Sequence, residues 1–415
     1  MTVTAPPRPP RPSDPVTHGE FDALVEAVIE EARQRGRRRR RRNGAIVALV
    51  ALTGVTLFTL VERTTRSHTV SPALAGRSSV SAATVGGKIA FLRYPNGDYL
   101  CCRGDIELWV MNPDGSGQRR LTRKAGFAPV WSPDARRIAF VRVRRGAHPP
   151  LDERAINRDI YVMNADGSVE RRLTSSPAVD LFPAWSPNGR KIAFTRGKMF
   201  IGDSDIYVMK ADGSAQRRLT HGGLQTFLPA WSPDGSKIAF TGRSGGTRGV
   251  RKTNIYVINA DGSGLRQLTQ NPNESFPPTP VWSPDGRKIA FVFTRGVRKA
   301  NIYVMNADGS AERRLTSGYT AVWSPDGRKI AFTDYGGVYV MNPDGTGRRW
   351  LSRGAYDVAP SWSPDSRQIV FQNGSRRSAQ HIEIDVANVD GSGSRTLTRN
   401  PGDDIAPAWS ARLRK

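Results

Sequence analysis

Three groups of residues carry side-chain types that do chemistry. Gly242-Arg243-Ser244-Gly245-Gly246 fits the Gly-X-Ser-X-Gly spacing of a nucleophilic serine. That chemistry needs a strand–turn–helix context and a histidine and an acid converging on the serine. Here a Gly/Arg loop and another strand pattern follow, so the match is read as chance. Asp180, Asp357 and Asp404 each stand five residues before a tryptophan, in Asp-X-X-Pro-X-Trp. Gathered at one mouth, their hard oxygens would hold Ca²⁺ or Mg²⁺ or catch a partner's basic side chain. An aspartate capping the turn before a strand leaves the same signature. The third group is basic: Arg243, Arg248, Arg251 and Lys252, then Arg295, Arg298 and Lys299, with no acidic residue inside either cluster. Such clusters suit an anionic partner, or serve as solubilising charge on loops.

Other constellations fall away. The histidines, His18, His68, His148, His221 and His381, are scattered, and no cofactor motif occurs. The only cysteines, Cys101 and Cys102, are adjacent, which excludes a disulfide scaffold and a zinc ribbon. No enzyme is expected.

The elements that must position these groups are repeats. Trp-Ser recurs at Trp131, Trp185, Trp231, Trp282, Trp323, Trp362 and Trp409, and all but the last continue as Ser-Pro-(Asp/Asn). A Lys-Ile-Ala-Phe type strand ends at Phe91, Phe140, Phe194, Phe240, Phe291, Phe332 and Phe371. An Ile-Tyr-Val-Met-Asn-Ala-Asp-Gly type segment and then Arg-Arg-Leu-Thr complete most units. Each unit therefore reads as four short strands: A ending in Trp-Ser, B as Lys-Ile-Ala-Phe, C as Ile-Tyr-Val-Met, and D as Arg-Leu-Thr. Pro-Asp-Gly and Asp-Gly are the turns between A and B and between C and D. Strands B and C are apolar on both faces, which implies sheets sandwiched between sheets.

The expected fold is all-β, a seven-bladed β-propeller of four-stranded blades over residues 86–411, preceded by one transmembrane helix. The first strand B has no Trp-Ser before it and the last Trp-Ser has no strand B after it. A ring closed by the carboxyl-terminal strand A pairing with the first strand B uses every piece.

These repeats resemble the TolB-type, WD-like β-propeller family, marked by Trp-Ser-Pro-Asp-Gly, Ile-Ala-Phe and Asn-Ala-Asp-Gly. The resemblance implies a propeller, a place in the cell envelope and binding of protein partners. In the family an α/β domain precedes the propeller, where this sequence has an anchor and stalk. Some related propellers precede hydrolase domains, and none is expected before Lys415.

Ahead of the repeats, residues 1–43 read as a cytoplasmic tail with a short amphipathic helix and the run Arg37 to Arg42. Residues 44–61 carry no charge and are just long enough to cross a membrane as a helix. Basic residues on the amino-terminal side predict a single-pass signal-anchor with the amino terminus inside. A signal-peptidase site near Ala75 is the competing reading. Residues 62–85 then form a flexible stalk. This topology puts most of the net charge of +25 outside the membrane, away from nucleic acid.

Alternating strand direction places the A–B and C–D turns at one end and the B–C and D–A loops at the other. The turns are nearly uniform, whereas the B–C loops run from 5 to 19 residues between Phe and the next strand. Variation confined to one end of a rigid scaffold marks a binding surface. The expected function is a membrane-anchored extracytoplasmic module binding an envelope protein or anionic wall polymer. A transmembrane sensor and a lyase or hydrolase acting in the channel are the alternatives.

Overall fold

Strand B shows why these repeats make sheets. It is β1 (Ile89–Tyr94), β5 (Arg137–Arg144), β9 (Lys191–Gly197), β13 (Lys237–Ser244), β17 (Lys288–Arg295), β21 (Ile330–Asp334) and β25 (Gln368–Asn373). In every copy the Ile, the Ala or Val and the Phe are 0% exposed. Neighbouring residues of a strand point to opposite faces, so both faces of each sheet are covered.

The computed structural model describes residues 87–95, 106–144, 157–197, 203–244, 252–270, 279–295, 299–334, 336–352, 358–374 and 382–411. The tail 1–43, the span 44–61, the stalk 62–85, Cys101, Cys102, Arg248, Arg251, Arg298 and Asp357 lie outside the described residues. Among the described residues no helix is long and apolar enough to cross a membrane.

The described residues form an all-β, propeller-like fold. Their twenty-eight strands make five sheets of four strands and one of eight. The large sheet joins two quartets, β8 (Val179–Trp185) to β11 (Arg217–Arg218) and β12 (Gln225–Trp231) to β15 (Arg266–Gln267). A parallel bridge between Ser204 and Gln225 links them. Apolar clusters fill the seams between neighbouring quartets. In one, Ala239, Ile255 and Val257 meet Ile289, Phe291 and Met305.

The ring closes as the repeat phase predicts. The last strand, β28 (Asp403–Trp409), pairs antiparallel with β1, Trp409 opposite Ile89 and Asp404 opposite Arg93. Ile89, Phe91 and Met111 pack on Val370, Ile384 and Val386, so the first and last quartets share a core.

The indoles tie the seams together. The innermost strand would otherwise show a free edge of unpaired backbone groups to the channel. Trp131 Nε1 donates to the Ala408 carbonyl at 3.0 Å, Trp185 to Val130 at 3.1 Å, and Trp231 to Ala184 at 3.0 Å. Trp282, Trp323 and Trp362 donate to Ala230, Val281 and Val322 in the same way.

Candidate functional site

At the A–B and C–D turns the fold itself uses much of the polar chemistry. In the A–B turn, Ser232 Oγ donates to Asp234 Oδ1 at 2.5 Å, and the same oxygen accepts the Ser236 N–H at 3.0 Å. These bonds hold the Asp234 carboxyl down at about 2. In the C–D turns the hydroxyl and N–H of Ser116, Ser168, Ser214, Ser263 and Ser310 lower the carboxyls of Asp114, Asp166, Asp212, Asp261 and Asp308.

Arginines of strand D then bridge to the next quartet at that end. Arg119 donates to the Asp166 carbonyl at 2.6 Å, Arg217 to Asp261 at 2.6 Å and Arg266 to Asp308 at 2.9 Å. Arg395 closes the circle on the Asp114 carbonyl at 2.7 Å. The sequence places these arginines on the repeat without showing their acceptors, which lie in the next unit.

The second residue of the Arg-Arg pair meets an acid at the start of strand C. Arg120 pairs with Glu107 at 2.8 Å, Arg172 with Asp159 at 2.8 Å and Arg218 with Asp205 at 2.7 Å. Sequence reasoning missed these acids. Their fixed place just before the apolar core of strand C was the available signal.

Asp180 and Asp404 are buried and do not stand open at a channel mouth. Arg196 Nε and Nη2 clasp Asp180 at 2.6 and 2.9 Å, and Arg93 clasps Asp404 at 2.7 and 2.9 Å. Each guanidinium also lies over an aromatic ring of strand C, 4.8 Å from the centroid of Tyr207 and 4.2 Å from that of Trp109. Burial pushes the Asp180 carboxyl up, against the pull of Arg196. Burial likewise raises Glu383, with Thr398 opposing and Asp404 adding to the rise. With both oxygens committed, these aspartates are arginine anchors. Among the described residues no group of three His, Cys, Asp or Glu is placed to hold a metal.

Ser244 ends β13 and stands opposite Lys252, the first residue of β14 (Lys252–Asn259). A second strand follows the loop, where a nucleophile elbow needs a helix.

Four residues of the basic clusters lie on strands B and C of two hairpins, next to their B–C loops. Arg243 is opposite Thr253, and its Nε donates to Thr253 Oγ1 at 3.4 Å. Lys252 is exposed at the end of the same hairpin. In the neighbouring sheet, Arg295 of β17 is directly opposite Lys299, the first residue of β18 (Lys299–Asn306). Four basic residues thus stand at the loop ends of two hairpins in successive quartets.

A family model described as the TolB beta propeller domain matches residues 127–254 and 225–413. The chain belongs to this family. It is 40% identical over 83 residues to the Tol-Pal system protein TolB of Anaeromyxobacter dehalogenans, covering 20% of this chain and 17% of that protein. It is 35% identical over 160 residues to the TolB homolog of Chlorobium chlorochromatii, covering 30% of this chain and 34% of that protein. The chain therefore matches 17% and 34% of these two relatives' length. A puromycin-hydrolysing peptidase of Mycobacterium tuberculosis shares the fold at a TM-score of 0.56 and 15% identity, over 76% of this chain and 52% of that one.

Proposed function

We propose that this TolB-family chain is a membrane-anchored, extracytoplasmic, seven-bladed propeller that binds an anionic envelope partner without catalysing a reaction. The observation that supports the reading is the register of two hairpins, which puts Arg243 and Lys252 at the loop end of one and Arg295 and Lys299 at the loop end of the next. Arg248, Arg251 and Arg298 belong to the same loops by sequence and extend the cluster. The partner is an acidic envelope protein or an anionic wall polymer, and the named TolB relatives favour an envelope setting. The anchor is the uncharged span 44–61 behind Arg37 to Arg42. A binding role is favoured over the propeller-bearing peptidase role because Ser244 has a strand after it and Asp180 and Asp404 are committed to arginines.

The test is crosslinked recovery of envelope partners by full-length protein, comparing wild type with Arg243→Ser/Lys252→Ser/Arg295→Ser/Lys299→Ser. Recovery is expected to fall about tenfold, and wild-type recovery to weaken as salt rises, as for steering by exposed charge. Equal recovery by both proteins rejects the basic hairpins as the binding site.

A further inference from the structure

One sheet departs from its siblings at its outer edge. Across β21, β22 (Gly337–Met341) and β23 (Arg349–Trp350), Phe332, Tyr339 and Trp350 stand in register as a ladder of rings. Phe332 and Tyr339 stack at 5.2 Å and 16°, Tyr339 and Trp350 at 5.6 Å and 29°. Exposure rises along the ladder from 0% through 7% to 45%. The Trp350 register holds Arg120, Arg172, Arg218, Gln267 and Arg314 in five other quartets. The acid that the first three of those arginines meet is replaced here by Gly337, whose φ of +127° and closeness to the Ser352 carbonyl leave no room for a side chain. Both halves of the ion pair have thus given way together, to a glycine and an exposed indole.

Polar groups rim this platform. The Arg348 guanidinium lies 4.1 Å from the Tyr339 centroid and bonds Asp334 Oδ2 at 3.2 Å. The same carboxylate oxygen accepts from Ser317 Oγ at 3.3 Å. A protein anchor site would set its tryptophan in a wide apolar surround. Of the chain neighbours of Trp350, Leu351 packs against the core, while Arg348, Arg349 and Ser352 are polar, with Arg349 already bonded to the Asp390 carbonyl. The apolar face of a pyranose is flat and close in size to an indole, and its hydroxyls pair with a guanidinium or a carboxylate.

We infer that Trp350, on the Phe332–Tyr339 ladder and beside the Arg348–Asp334 pair, is a stacking subsite for a pyranose ring of a glycan chain. The inference rests on the surface-binding reading above but on different residues, so the two fail separately.

The test titrates full-length protein, in a detergent without sugar headgroups, with an N-acetylglucosamine tetramer and with a mannuronate tetramer. Binding is read by saturation-transfer NMR and calorimetry. Wild type is expected to bind at least one of the two. Trp350→Arg restores the residue type of the other sheets and is expected to leave the thermal midpoint unchanged while weakening binding about tenfold or more. Trp350→Phe keeps a ring and is expected to stay within about threefold. Binding of the neutral tetramer alone places a neutral sugar on the indole, and loss with the acidic tetramer alone places a uronate there. The inference is overturned if neither tetramer binds, or if Trp350→Arg binds as wild type does. It is overturned also if sugar binding survives Trp350→Arg and is lost only in the basic-hairpin variant, an outcome that supports the proposed function. Loss of a protein partner in Trp350→Arg without sugar binding assigns the platform to protein and overturns it too.

Discussion

An indole N–H buried without an acceptor costs about 1–3 kcal/mol, and a buried carbonyl that loses its donor costs a similar amount. Six tryptophans avoid that cost by donating across a seam, Trp231 to the Ala184 carbonyl among them. Trp409 differs: its Nε1 is buried without a hydrogen-bond partner, although its backbone N–H donates to Ser361 Oγ at 2.9 Å. Trp231→Phe and Trp409→Phe remove the same atoms but only the first breaks a bond. Trp231→Phe is therefore expected to be the more destabilising by about 1 kcal/mol in urea unfolding. Equal losses would show that packing alone sets the value of these rings. The tryptophans were legible as repeat markers because a bulky aromatic at a fixed offset is hard to miss. Their acceptors were not, since five lie about one repeat back along the chain and Ala408 lies near its far end, each in a neighbouring quartet.

At the scale of the element, the four-strand unit was legible because its turns carry their own chemistry, and two copies depart from it, at Ala135 and Ser366. Gly235, Gly286 and Gly327 take positive φ at the A–B turn, where Ala135 is held at 58°. An L-residue there costs about 1 kcal/mol, which glycine does not incur. Ala135→Gly is expected to raise stability by about 0.5–1 kcal/mol, read as a higher urea midpoint at unchanged slope. A lower midpoint would mean that the buried methyl of Ala135 outweighs its strain.

The bulge in strand A left no comparable mark, and it decides where the aspartates go. Ala184 is opposite Ala193 but Leu181 is opposite Thr195, so β8 carries one extra residue between them. Without that residue Asp180 would face Gly197, and with it Asp180 faces Arg196. The same shift brings Asp404 opposite Arg93. Phe182 and Ala406 take φ of 54° and 51° to make these bulges. The channel-mouth site was expected because the three aspartates share one offset from Trp on strand A, and that offset does not show the bulge that sets Asp180 and Asp404 against arginines. The arginine two residues beyond the Phe of strand B, present at Arg93 and Arg196, was the legible half of each pair.

For the whole molecule, the charge of +25 divides into cations that hold the ring and cations left over. Arg119, Arg217, Arg266 and Arg395 bridge neighbouring quartets, and Arg120, Arg172 and Arg218 meet acids within theirs. The binding proposal rests instead on where the hairpin-end cations stand, Arg243 and Lys252 on one hairpin and Arg295 and Lys299 on the next. The carboxylates give the ring a pH dependence whose sign follows from their shifts. The turn aspartates, Asp234 at about 2 and Asp114, Asp166, Asp261 and Asp308 among the others, are lowered from 3.8 by hydrogen bonds to their charged form. Their contribution is present above 3.8 and is lost as pH falls through the folded values. Asp180 and Glu383 are raised from 3.8 and 4.5 by burial, so their contribution is present below those values and is lost as pH rises through the folded ones. The turn set recurs around the ring, whereas the raised carboxyls sit at two seams. The thermal midpoint is therefore expected to climb steeply from pH 2 to 4 and to flatten or dip slightly above pH 5, with Asp234→Asn shallowing the acid limb. A midpoint indifferent to pH below 4 would show that the turn carboxylates contribute nothing to the closed ring.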